Sequence, residues 1–513
     1  MTHQKKPNVL LITTDQQHWN TIHALGNDAI KTPNLNRLVF EGTTFSRAYV
    51  TNPVCSPSRS SIITGEYPSR HGCWNIGVRL EEQRESLGTL LRDHGYTTGL
   101  FGKAHFQPVL ASDSFEGRPH IHNRSFWRYW HGPYYGFERV DLVHGHADEE
   151  SSHGMHYGVW LEDQGIDTSR YFGPGGGFRQ GEWDLPEAYH YTRWTADRTI
   201  DFIEDVTDHG RESGAPQKPF FAWCSFQDPH NAYLFPGDWD IKYNSDDLPS
   251  FIERAGEMED KPLLHRLVLE GRMSELGVQI TTDPNHPTEG IQCLGQTTAR
   301  IGRERAKKWL SAYYSMISLI DHHIGRILAR LEDMKLLENT VIIFTSDHGD
   351  YLGNHGLWLK GPIHYEDVIR VPLIVRGPDR FARGQMSDSL FSLVDLAPTI
   401  LDVCGATPPQ AMQGVSQFSV LMDPAKQVRR WCLIENRAES GFYVKTLVTS
   451  RHKISYYLER GEGELYDLLT DPHEFINLYH LPEYAEVKAE LMSLMLDALG
   501  SLENHYAPRR SFS

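Results

Sequence analysis

The segment Asn52-Pro53-Val54-Cys55-Ser56-Pro57-Ser58-Arg59-Ser60-Ser61-Ile62-Ile63-Thr64-Gly65 gathers groups that can do chemistry. Cys55 follows an Asn-Pro loop, and the run through Ser60–Ile63 reads as the opening of a helix. A nucleophile would then sit at a helix N-terminus, where free N–H groups and the dipole favour an anion. Arg59, one turn on, is spaced to face Cys55 and add a charge-assisted contact. Far away in sequence, Asp15 closes the β-prone run Asn8–Thr14, and Asp347-His348 follows a second run ending at Ser346. Acids at the ends of remote strands can converge on one hard cation through oxygen ligands. Either acid alone would suit a turn or a helix cap; together with the Cys55 segment they are read as a metal site.

Such convergence needs a scaffold that lines up strand ends. Asn8–Thr14, Tyr96–Phe101, Pro219–Cys224, Thr340–Thr345 and Val371–Val375 are apolar throughout rather than alternating, as suits strands buried on both faces. Between them lie helical patterns. Ser86–Gly95 has a Ser cap and a closing Gly, and Lys307–Leu331 spaces Leu310, Tyr314, Ile317, Ile320, Ile324, Ile327 and Leu331 by threes and fours. A further helix is expected at Ser392–Leu401 and a short one around Pro262–Met273. The alternation predicts an α/β fold with a doubly wound sheet, whose ligands bind beyond the carboxyl ends of the strands. Residues 1–422 are read as this catalytic domain. Residues 423–513, with alternating runs at Tyr443–Thr449 and Lys453–Tyr457 and a helix around Ala485–Leu499, are read as a smaller α+β unit with an antiparallel sheet. The stretch 107–191 lacks clean periodicity and is dense in His, Trp, Tyr and Gly. It reads as an irregular binding insertion, with Trp127, Trp130, Trp160 and some of its histidines at the pocket mouth.

Composition narrows the partners. With 513 residues the chain can bury a large core, and 23% charged residues suit a globular protein. A formal net charge of −17 argues against nucleic-acid and anionic-membrane partners, so a small anion would need a local cluster of Lys, Arg and His. No stretch approaches the roughly 20 apolar residues of a membrane span. Val9–Ile12 is too short for a signal-peptide core, which reads as cytoplasmic, or as periplasmic or secreted if a leader has been removed. The six cysteines lack CxxC spacing, which argues against zinc and a disulfide framework. Cys73, Cys224, Cys293, Cys404 and Cys432 are expected to be buried apolar fillers.

The Cys55-Ser56-Pro57-Ser58-Arg59…Thr64-Gly65 run resembles the signature of type I sulfatases, in which the Cys is oxidised after translation to formylglycine. Gly102-Lys103-Ala104-His105 resembles a second element of that family, with Ala104 where Trp is usual. Asp228-Pro229-His230, Ser346-Asp347-His348-Gly349, His355–Gly361, Arg370–Val375 and Glu464–Leu468 with Asp471-Pro472, Glu474 and Asn477-Leu478 follow in the family's order over nearly the whole chain. The sequence is identified as a member of the sulfatase branch of the alkaline phosphatase superfamily. The resemblance implies a mixed, mostly parallel sheet flanked by helices. It also implies a divalent cation held by Asp15, Gln16, Asp347, His348 and residue 55. Ca²⁺ comes first, with Mg²⁺ or Mn²⁺ next, because Gln16 replaces an acid and His348 an Asn, leaving one carboxylate fewer.

Catalytic roles follow from the same resemblance for Cys55, Arg59, Lys103, His105, His230 and Lys360. Lys103, Lys360 and Arg59 would stabilise the sulfate oxygens electrostatically. His230 would protonate the leaving alcohol, and His105 would take a proton from the second hydroxyl of the formylglycine hydrate. The sulfate hemiacetal would then collapse to the aldehyde and expel sulfate without water attacking sulfur. Expected partners are a sulfate monoester, on a carbohydrate ahead of an aryl group, and a formylglycine-generating maturation enzyme. The rival is a phosphonate monoester or phosphodiester hydrolase, which shares formylglycine and the Asp-Gln…Asp-His pattern. A silent binding protein with unmodified Cys55 conflicts with the full set of basic and metal residues.

Overall fold

The computed structural model describes residues 6–173, 179–212, 218–272, 275, 296–438 and 442–503. Eight strands form the main sheet: β1 (Asn8–Thr14), β2 (Thr43–Phe45), β3 (Thr97–Gly102), β4 (Arg139–Leu142), β5 (Phe220–Ser225), β6 (Thr340–Ser346), β7 (Leu373–Arg376) and β8 (Gln385–Ser387). Their order is β8-β2-β7-β6-β1-β5-β3-β4. Only β7 among these runs against its neighbours, β6 and β2, so the sheet is mixed and mostly parallel.

The continuous apolar strands have their physical explanation here. Val9 and Leu11 of β1 point into one core with Ile62, Ile63, Leu87 and Leu91. Leu10 and Ile12 point into the other, against Leu35, Phe202, Ile320, Ile324 and Ile327. The second core is covered by α1 (Pro33–Glu41), α3 (Tyr191–Glu212) and α4 (Arg303–Asp333); α2 (Cys55–Thr64) lies on the first. Truncating Ile12 or Ile324 to Ala in such a core costs about 2–5 kcal/mol.

Register carries this packing to function. Thr14 pairs with Ser346, and Thr13 and Gly102 both pair with Ser225. Asp15, Asp347 and Lys103, each the next residue out of its strand, therefore emerge side by side at one carboxyl edge. Gly102 has φ +99, and a Cβ there would lie 2.0 Å from the Ser225 carbonyl oxygen, so only Gly lets β3 turn Lys103 against β5.

At the C-terminal end, β9 (Cys432–Ala438), β10 (Phe442–Val448), β11 (His452–Tyr457) and β12 (Glu462–Asp467) form an antiparallel sheet in sequence order. Leu447, Ile454 and Leu465 pack on Leu491, Met495 and Ala498 of α5 (Ala485–Ser501). Cys73, Cys224, Cys404 and Cys432 are buried; Cys293 and Met273 lie outside the described residues. The short helix expected near Pro262 spans Leu263–Leu269. No helix of the described residues is long and apolar enough to cross a membrane.

The 107–191 stretch differs from its reading. It contributes β4 to the main sheet and forms helices at Arg118–Ile121, Arg124–Trp127 and Met155–Asp163. Trp127 is fully buried among Phe115, Phe126 and Trp130, and Trp160 packs against Tyr157 and Tyr189. Trp127 at least is core rather than a pocket platform, because a dense set of rings gains more from mutual burial than from solvent. The amphipathic helix α3 was not anticipated at all.

Candidate active site

Cys55 is the first residue of α2 and is 1% exposed, with its thiol facing the carboxyl edge of the sheet. Its Sγ lies 3.0 Å from Lys360 Nζ, 3.2 Å from His348 Nε2 and 3.6 Å from Asp15 Oδ1. Burial alone would raise the thiol, but Lys103, Lys360 and His348 outweigh it and hold Cys55 well below the usual thiol range. Ligand atoms of Asp15, Cys55, Asp347 and His348 lie within 4.8 Å of one another.

The donor set fits a cation. His348 Nδ1 sits 2.9 Å from the Gly349 carbonyl, which can only accept, so Nδ1 carries the proton and Nε2 offers its lone pair to the cluster. Gln16, at φ +69, directs its amide nitrogen to Asp350 Oδ2 at 2.7 Å and leaves a buried Oε1 with no hydrogen-bond partner. A buried orphan amide oxygen on the residue next to Asp15, whose own backbone N–H donates to Asp347 Oδ1 at 3.0 Å, is what a bound divalent ion would satisfy.

Arg59 is fully buried and takes a different direction from the one its spacing suggested. Its Nε donates to Asp347 Oδ2 at 2.7 Å, and Nη1 donates to the Lys103 carbonyl at 3.0 Å and Ser225 Oγ at 2.7 Å. Nη2 stands 3.9 Å from Asp15 Oδ2. The guanidinium thus braces the two acids and the strand ends rather than touching Cys55. Ser58 Oγ, on the same helix, donates to the Asp347 carbonyl at 2.5 Å and docks α2 onto β6.

Lys103 Nζ pairs with Asp15 Oδ2 and sits 3.2 Å from His146 Nε2. Lys360 Nζ reaches Cys55, His348 and, at 3.0 Å, His230 Nε2. His230 Nδ1 lies 2.6 Å from the Asn231 carbonyl and so holds the proton, leaving Nε2 to accept from Lys360. Burial and then Lys360 lower His230. Burial and Lys103 push His105 down to about 4, so it is a neutral imidazole; its ring lies edge-on to His144 at 5.4 Å. The candidate catalytic and metal-ligating residues thus gather at this edge of the sheet, unlike Trp127. His146, one of the insertion's histidines but given no role of its own, stacks its ring on His230 at 3.6 Å between centroids, with 12° between planes. The available signal was its place just past β4, but that strand is only four residues long and carries Arg139 and Asp141.

A mostly parallel sheet whose carboxyl edge gathers Lys103, Lys360 and Arg59 around a metal-ligand cluster suits the hydrolysis of charged esters. The family model described as Sulfatase matches residues 7–406, and that described as N-sulphoglucosamine sulphohydrolase, C-terminal, matches residues 353–499. The chain belongs to the sulfatase family and is a sulfuric ester hydrolase. It is 29% identical to an arylsulfatase of Clostridium perfringens, over 98% of this chain and 96% of the relative. An N-acetylglucosamine-6-O-sulfatase of Bacteroides thetaiotaomicron is 25% identical, over 96% of this chain and 86% of the relative. The crystal structure of a phosphonate monoester hydrolase of Agrobacterium radiobacter superposes with a TM-score of 0.75 at 23% identity, covering 97% of this chain and 96% of the other, and shares the fold.

Proposed function

We propose that this sulfatase removes sulfate from a sulfated carbohydrate, using a formylglycine made from Cys55 beside a divalent cation held by Asp15, Gln16, Asp347, His348 and residue 55. The observation that carries the reading is the four-residue cluster within 4.8 Å, ringed by Lys103, Lys360 and Arg59 in a chain of net charge −17. Here the local positive field is built against the overall one, as anion recognition requires. Two carboxylates and an amide oxygen suit Ca²⁺ first, with Mg²⁺ or Mn²⁺ as alternatives. When bound, the cation lowers the pKa of a hydroxyl at residue 55 and neutralises charge on the transferring group.

The chain's own residues do the rest. Lys103 and Lys360 hold the non-bridging sulfate oxygens, and Arg59 keeps Asp15 and Asp347 oriented. The Lys360–His230 pair, 3.0 Å apart, supplies the proton to the leaving alcohol oxygen. His105, neutral and buried, takes a proton from the remaining hydroxyl on residue 55 and so drives sulfate release. Activity then depends on a formylglycine-generating maturation enzyme. The preference for a sugar over an aryl ester draws support from the N-acetylglucosamine-6-O-sulfatase relative. The phosphonate monoester hydrolase reading draws support from the shared fold and from the Asp15-Gln16…Asp347-His348 set.

Matured full-length protein assayed on sulfated mono- and disaccharides, p-nitrophenyl sulfate and phenyl p-nitrophenyl phosphonate tests the proposal. Highest kcat/KM on a sulfated sugar is expected; a clear preference for the phosphonate overturns it. Mass spectrometry of the Cys55 peptide should show formylglycine, and a thiol in fully active protein contradicts the nucleophile.

A further inference from the structure

The Gln16 side chain can face the metal cluster with either end of its amide, and only the oxygen can hold a cation. We infer that Asp350 makes this choice: it is a positioning residue that turns the Gln16 oxygen toward the metal. The inference rests on the metal reading above. Asp350 is fully buried on the segment just past β6, two residues beyond His348. Four donors converge on its carboxylate. Oδ1 accepts from the backbone N–H groups of Leu352 at 2.8 Å and Leu359 at 2.9 Å. Oδ2 accepts from Tyr233 OH at 2.6 Å and Gln16 Nε2 at 2.7 Å.

The two halves of this carboxylate are not interchangeable. Backbone N–H groups cannot become acceptors, so the Oδ1 side must stay an oxygen. Oδ2 already accepts from Tyr233 OH and draws the amide nitrogen of Gln16, which leaves Oε1 at the other end of the amide. Asn231 Oδ1, 3.4 Å from Gln16 Nε2, is a second acceptor on the nitrogen side. The result is the one seen: Oε1 is buried and without a hydrogen-bond partner. Inside a protein an orphan acceptor is unfavourable unless a ligand satisfies it, so the carboxylate keeps the oxygen in readiness for a cation.

In Asp350→Asn the backbone N–H groups hold the Asn oxygen at the Oδ1 position and force its NH₂ to face Gln16. The Gln16 amide must then flip to accept, presenting NH₂ to the cation. In Gln16→Glu/Asp350→Asn the new NH₂ donates to one Glu oxygen and the other oxygen again faces the cation.

Binding of Ca²⁺ and of Mg²⁺ alone is measured on the metal-stripped full chain by isothermal titration, with the cation-induced rise in Tm as a second readout. Asp350→Asn should weaken cation binding about 10–100-fold, the usual range for groups that orient a metal ligand. The exchanged pair should recover most of that loss, and Tyr233→Phe should stay near wild type. A merely structural role for Asp350 would not be rescued by changing Gln16. If wild type takes up neither cation, the metal reading itself falls and this inference with it. If wild type binds and Asp350→Asn binds equally well, the inference alone is overturned. Should Asp350→Asn be too unstable to purify, the exchanged pair decides, and binding no tighter than in Gln16→Ala overturns it.

Discussion

Two of the buried polar clusters in this molecule are built on opposite rules. Where the C-terminal sheet meets the main domain, charges are matched. Lys453 pairs with Glu474, Lys261 donates to Tyr466 at 2.8 Å, and Glu464 accepts from Tyr457 at 2.7 Å and stands 3.3 Å from His265. At the carboxyl edge of β1, β3 and β6 the charges are crowded instead. Two lysines bear on Cys55 and Asp15, and several imidazoles are pushed toward neutrality. Gln16 Oε1, both ring nitrogens of His105 and His146 Nδ1 have no hydrogen-bond partner. A cluster whose charges are paired stabilises a fold; one that crowds cations, acids and orphan imidazole nitrogens around a thiol is prepared for something else to enter.

The sharpest way to break this contrast is to remove the nucleophile. Cys55→Ala should lower turnover by on the order of 10⁴-fold or more while leaving Tm nearly unchanged; turnover near wild type would show that the crowded cluster is not the reaction centre. The converse change is Lys453→Met at the matched cluster. Leaving Glu474 buried without its cation should cost about 3–5 kcal/mol of stability, read by denaturant unfolding, with kcat per folded molecule retained. A large kcat loss at full stability would erase the distinction between the clusters.

Lys360→Ala removes a charge from the site and should reduce kcat by about 10²–10³-fold, with Tm shifting far less than in Lys453→Met. His355 bridges the two regions: its ring stacks on Tyr365 at 3.7 Å and it pairs with Glu257 and Asp367. Burial lowers it, but Asp367 and Glu257 raise it to about 9. A raised base contributes stability that is full below its unfolded pKa, near 6.5, and is lost as pH climbs through about 9. Unfolding free energy should therefore drop between those pH values by at most about 3 kcal/mol, and His355→Gln should flatten that drop. The smallest expected effect is that of His146→Ala. Losing the stacking partner of His230 is worth about 0.5–1.5 kcal/mol, so kcat should fall about 2- to 13-fold with Tm little changed, and an unchanged pH-rate profile and kcat would place His146 outside the working set.

Much of the site was legible because its parts sit at punctuation marks. Asp15 and Asp347 end continuous apolar strands, Cys55 opens a helix after Asn-Pro, and Lys103 follows a Gly that must turn. His146 and α3 were not legible. His146 depends on β4, whose charged edge-strand sequence carries no continuous apolar run, and the face of α3 that covers Phe101 and Phe220 is interrupted by polar residues. Trp127 was misread because composition tells which side chains are aromatic and not which way they point.

By itself the sequence determined the chemistry: a thiol at 55, acids at 15 and 347, cations at 59, 103 and 360, and strands apolar enough to be buried on both faces. Their side-by-side emergence required the pairing of Thr14 with Ser346 and of Gly102 with Ser225. Tertiary structure alone decided that Arg59 braces the acids, that His146 backs His230, and that Asp350 turns Gln16. Those choices depend on distances and hydrogen-bond directions between residues tens to hundreds of positions apart, which no local pattern encodes.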